Sequence, residues 1–193
     1  NALLPTLQIL GLSLLYLLTG VGIQILLKKE EDKLRPILAF FLGIASVMLL
    51  VLALSITNVR YANWMLFAWA GIFLIAATIK LLVKRKELES LKDQVTTLTW
   101  QDGLIAYGFV LLLLVRIAQA DQLHVPSWMD SLFHANLIEG FIEQGQIPAN
   151  LNYHFGYHLL TFLNTELFDW YIPTAMLMTG QWLNVLLSLG LFS

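Results

Sequence analysis

All four histidines of this 193-residue chain, His124, His134, His154 and His158, fall between residues 121 and 158. Asp121 and Asp130 share that stretch, and no Lys or Arg does. Imidazoles and carboxylates are the side chains that take up and release protons at a reacting oxygen. Asp130 and His134 are four residues apart, as are His154 and His158, so on a helix each pair projects from one face. If the two pairs meet, four titratable groups share one site. Each group also has a structural reading. Ser127 followed by Asp130 fits an N-terminal capping arrangement, and a single histidine at a membrane interface is commonly a hydrogen-bonded anchor. Arg116, close to the end of an apolar run, divides evenly between reaching for lipid headgroups and holding a phosphate.

The elements that must position these groups are helices in lipid. Charged residues make up 12% of the chain against roughly 25% in soluble domains, and hydrophobic residues 58%, which leaves too little polar surface to wrap the chain in water. A bilayer span needs about 20 mostly apolar residues. Residues 2–27, 36–56, 64–83 and 103–120 meet that requirement, and 173–192 does so with Gln181 and Asn184 inside it. A further stretch, 157–168, is short and carries Thr161, Asn164, Thr165 and Glu166. At about 18 Å of helix, it must start earlier, tilt, or sit among neighbours that shield Asn164 and Glu166 from lipid. The expected fold class is all-α: a polytopic integral membrane protein with about six transmembrane helices plus an interfacial amphipathic helix. The first apolar run is too long, and lacks the basic flank, for a signal peptide. The absence of cysteine excludes disulfides, zinc–thiolate sites and thiol nucleophiles.

Basic residues orient the stack. Nine of the eleven Lys and Arg residues lie in two connections, 28–35 and 80–92, with only Arg60 and Arg116 elsewhere. The positive-inside rule places those two connections in the cytoplasm. The N-terminus and residues 121–156 are then expected on the extracytoplasmic side of the cell membrane. Residues 84–94 read as a short solvated helical extension, with Glu89 and Asp93 four apart. Within the outer segment, residues 128–144 repeat Met129, Leu132, Phe133, Leu137 and Phe141 at helical spacing. Asp130, Ser131, His134, Glu139, Glu143 and Gln144 supply the polar side. Such a helix lies in the interface with its apolar face down, and Gly145 stands where a C-terminal cap belongs. Trp64, Trp128, Trp170, Tyr61, Tyr153, Tyr157 and Tyr171 read as an aromatic belt.

A span ending outside, an acidic residue, a juxtamembrane helix, a short polar span and a longer one together resemble the amino-terminal core of the GT-C superfamily. These are polytopic glycosyltransferases that use polyprenyl-phosphate sugars. The likeness rests on Pro126-Ser127-Trp128-Met129-Asp130-Ser131 with His134, on Glu143-Gln144-Gly145 with Pro148, and on Asn152-Tyr153-His154-Phe155-Gly156-Tyr157-His158. Gly180-Gln181-Trp182-Leu183-Asn184 extends it, so that it covers about residues 103–192. It implies a three-span segment over 1–98 and a GT-C-like core over 99–193. Many such enzymes start with the span that leads into the outer loop, whereas here three further spans precede that one. The resemblance implies that Asp130 is the general base on an acceptor hydroxyl, with Asp121 a second candidate carboxylate. Arg116, His134, His154 and His158 would bind substrate. The expected partners are the bilayer, a lipid-linked sugar donor and other membrane subunits, with no nucleic acid. No cofactor is expected, a divalent metal being the weaker option. The rival readings are a non-catalytic accessory or scaffold subunit of a membrane complex and a tetrapyrrole-binding protein. A transporter ranks below both, because the span interiors are nearly uncharged.

Overall fold

A computed structural model describes residues 2–27, 34–84, 89, 100–120, 122–123, 131–148 and 155–191. Those residues form seven helices and no strand: α1 (Leu3–Leu27), α2 (Pro36–Ile56), α3 (Asn63–Val83), α4 (Trp100–Ala120), α5 (Ser131–Gln144), α6 (Gly156–Phe168) and α7 (Ile172–Leu191). Among them α1, α2 and α3 are long and apolar enough to cross a membrane, and the apolar part of α4 is the shorter Ala106–Ala120. The described residues are therefore all-helical, with three helices long and apolar enough to span a membrane. The expected extension at 84–94 lies outside the described residues except at Lys84 and Glu89.

The α1–α2 pair forms the tightest helix crossing, and two glycines allow it. A Cβ on Gly20 would meet the carbonyl of Ala39, and one on Gly43 would meet the carbonyl of Tyr16. Both obstacles are backbone, so the helices approach this closely only where no side chain intervenes. α2 begins at Pro36, whose fixed φ suits a first helical position. The preceding Arg35 is extended (φ −117°, ψ 102°), as a residue before proline should be. The Gln24 side chain spans the end of this crossing: its amide donates to the Arg35 carbonyl and its oxygen accepts from the Arg35 N–H, both at 3.0 Å. At the same end, the Lys80 Nζ of α3 donates to the last carbonyls of α1, Ile25 at 2.8 Å and Leu26 at 3.3 Å. A cation at a helix C-terminus satisfies orphan carbonyls and complements the dipole.

α3 keeps only a narrow inner face, Leu66, Ala70 and Ala77, and presents Phe67, Ile72, Ile75, Ile79 and Leu82 outward. An apolar outer face of this kind suits lipid rather than water. α6 does the opposite. Its seven consecutive residues from His158 to Asn164 are all buried, so it is enclosed on every side. This is the shielded option among the three expected for the short segment. Asn164 is 1% exposed and donates from Nδ2 to Thr179 Oγ1 at 2.8 Å. Glu166 is half-buried. The helix ends where Asp169 takes up a left-handed conformation (φ 54°) and its N–H bonds the Thr165 carbonyl.

One apolar core runs through the bundle from Ile9 and Tyr16 of α1 to Leu113 and Ile117 of α4, Ile138 and Phe141 of α5, and Trp182 of α7. Trp182 joins the first and last helices. It is fully buried, stacks on Tyr16 with ring centroids 5.9 Å apart, and donates from Nε1 to Ser13 Oγ at 2.9 Å. A buried indole N–H needs such an acceptor.

Candidate functional site

The amphipathic helix expected over 128–144 is present as α5, Ser131–Gln144, with Ile138 and Phe141 buried. Residues 124–130 lie outside the described residues. α5 ends at Gly145, which has φ +62° and donates its N–H to the Phe141 carbonyl at 2.8 Å. Glycine suits this position chiefly through its backbone. An L side chain is strained at this φ, and a Cβ would run into the Arg60 side chain that lies across it.

Arg60 belongs to a connection that the spacing argument left without a role. Its Nη2 donates to the Ile142 carbonyl at 3.3 Å. The next residue, Tyr61, donates its backbone N–H to the Gly145 carbonyl at 2.7 Å. Ser55 Oγ accepts the Ile147 N–H at 2.8 Å, and Asn63 Nδ2 donates to the Glu166 carbonyl at 2.8 Å. The α2–α3 connection and the helix ends beside it thus grip the C-terminal ends of both α5 and α6. The available signal was Arg60, the single basic residue in an otherwise uncharged connection. The same connection corrects the aromatic belt at one position. Tyr61 is 5% exposed and packs edge-on against Phe162, centroids 5.5 Å apart, whereas Trp64 and Tyr171 do face outward. Burial, reinforced by the Glu166 carboxylate, holds the Tyr61 phenol well above the ordinary tyrosine range. Its hydroxyl has no hydrogen-bond partner among the described residues.

At the other end of α5, one turn in, His134 meets His158 near the start of α6. His134 Nδ1 and His158 Nε2 are 2.7 Å apart, with ring centroids at 4.9 Å and planes 31° apart. That is near head-to-head geometry, in which one ring nitrogen carries a proton and the other accepts it. His158 is 2% exposed and His134 half-buried. Phe133 and Tyr157 flank the pair, their rings 5.7 Å from His134 and 5.6 Å from His158. Tyr157 is fixed in turn by its hydroxyl, which donates to the Met176 carbonyl of α7 at 2.8 Å.

Of the candidate residues, the structure brings His134 and His158 together. Arg116 lies on the exposed side of α4, beside the fully buried Ile117. α4 itself packs chiefly on α7 and α1 rather than on α5. Asp121, Asp130 and His154 lie outside the described residues. The pair can donate and accept a hydrogen bond, pass a proton between rings, and carry positive charge toward an anion. Set against protein-family models, curated proteins and solved structures, the chain matches none of them.

Proposed function

We propose that this chain is all or part of a membrane glycosyltransferase of the GT-C type, transferring a sugar from a polyprenyl-phosphate donor on the extracytoplasmic side. In this reading α4, α6 and α7 complete a six-helix membrane bundle. The basic connections 28–35 and 80–92 are cytoplasmic, as the distribution of Lys and Arg requires.

The observation that supports it is the His134–His158 contact at 2.7 Å. It joins the first turn of the interfacial helix, which Asp130 precedes in sequence, to the start of the buried polar helix. Asp130 removes the proton of an acceptor hydroxyl, and the oxygen attacks the anomeric carbon. The bond from that carbon to the lipid phosphate breaks with inversion, and the phosphate leaves with the electron pair. Arg116, with either His154 or His158, offsets the charge that develops on it.

Asp130→Asn in the full-length protein tests the assignment, because asparagine keeps the size and most of the capping ability of aspartate while removing the base. Sugar transfer from a radiolabelled polyprenyl-phosphate sugar should fall by about 10²–10⁴. Thermal stability should change by no more than about 1 kcal/mol. Transfer at the wild-type rate would show that Asp130 is not the base.

A further inference from the structure

The geometry points to the His134–His158 pair as an acid-released latch between the interfacial helix and the buried polar helix. Regulation of the proposed catalytic site follows from this only if the glycosyltransferase reading holds; the latch itself rests on the contact alone.

Two imidazole nitrogens 2.7 Å apart have room for one proton between them. The pair is satisfied when both rings are neutral, one donating to the other, and also when one ring is charged and donates to its neutral neighbour. When both rings are charged, two N–H groups point at each other across the contact, and it must open. The closed arrangement therefore binds fewer protons than the open one, and acid favours opening.

α7 and α2, the other helices packed on α5 and α6, contain no ionisable residue. On α5 itself the carboxylates are Glu139 and Glu143, five and nine residues further along. On α6 they are limited to Glu166, two turns away, with Tyr157 tied to Met176. Asp130 and His154 stand four residues before the two histidines in sequence. Opposing release, α5 is held at its far end by Arg60, Tyr61 and Ser55. Opening at the histidine end is therefore a swing about the anchored C-terminus rather than dissociation.

The chain has no cysteine, so two can be placed freely for spin labels. Asn136→Cys on the exposed side of α5 and Tyr171→Cys beyond α6 report their separation in the full chain, reconstituted in nanodiscs of zwitterionic lipid. That lipid avoids the proton enrichment of an anionic surface. The label distance should be single at pH 8 and lengthen or broaden at pH 4.5, well below the ordinary histidine value of about 6.5. In the His134→Gln background, which keeps an amide hydrogen bond without a titrating ring, the pH 8 distance should persist at pH 4.5. An unchanged wild-type distance, or an equal change in His134→Gln, would overturn the latch. If His134→Gln fails to fold, the wild-type chain with ¹⁵N-labelled histidine decides. A ¹⁵N–¹⁵N coupling across the contact should be present at pH 8 and gone at pH 4.5, and its survival in acid would refute the proposal. None of these readouts measures sugar transfer, so the latch and the catalytic reading fail separately.

Discussion

Tyr61 shows how a single buried hydroxyl links the α2–α3 connection to pH. Its phenol is enclosed, unbonded among the described residues, and close to Glu166, and all three features oppose ionisation. The folded-state value lies above the unfolded one. The stability this contributes is therefore fully present below about pH 10, and is lost as the pH rises beyond that toward the folded value. Tyr61→Phe should consequently be nearly neutral at pH 7, since no hydrogen bond is broken. It should flatten part of the fall in melting temperature between pH 9 and pH 11. A variant that melts several degrees lower at pH 7 would mean that the hydroxyl has a partner.

At the scale of elements, two kinds of contact hold the helices in place. α1 and α2 meet backbone to backbone through Gly20 and Gly43, whereas α5 and α6 are held by polar clasps at their ends. The first kind is intolerant of added volume, because the obstacle is a carbonyl rather than a side chain that can rotate away. Gly43→Ala should destabilise the bundle by about 1–3 kcal/mol, the range for inserting a methyl group into a packed site. Gly71→Ala, on α3 with open space around its Cβ direction, should cost nothing measurable by the same thermal assay. Equal effects at the two positions would contradict the close crossing. The α1–α2 glycines were present in the sequence as ordinary members of apolar runs. Nothing in a run of Leu, Ile and Gly says which glycine faces a neighbouring backbone, since that depends on the rotation of both helices about their axes.

At the scale of the molecule, two sets of polar ties sit at opposite ends of α2. Gln24, Arg35 and Lys80 gather at one end of α1–α3, while Ser55, Arg60, Tyr61 and Asn63 meet α5 and α6 at the other. The length of α2, 21 residues or about 32 Å at 1.5 Å per residue, separates them. That is close to the bilayer core of about 30 Å. The basic connections flank the first end. The proposed orientation therefore predicts that a cysteine at Gln146 reacts with a membrane-impermeant thiol reagent in intact cells, and that Lys86→Cys reacts only after permeabilisation. The reverse pattern would invert the protein in the membrane.

The sequence by itself determined that the chain is helical, with runs long and apolar enough to cross a bilayer, because composition and the length of apolar runs report on solvent without reference to any partner. It also placed α2, α3, α6 and α7 to within a residue of their observed bounds, since proline, glycine and polar breaks interrupt helices locally. The i,i+4 spacing put Asp130 with His134 and His154 with His158 for the same local reason. That His134 and His158, 24 residues apart, would share a proton was a matter for the tertiary structure. So was the grip of the α2–α3 connection on α5, across more than 80 residues. Both depend on how far each helix is rotated and how deeply α6 is enclosed. Those quantities are settled by packing the whole core around Phe141, Phe162 and Trp182, and no local spacing carries them.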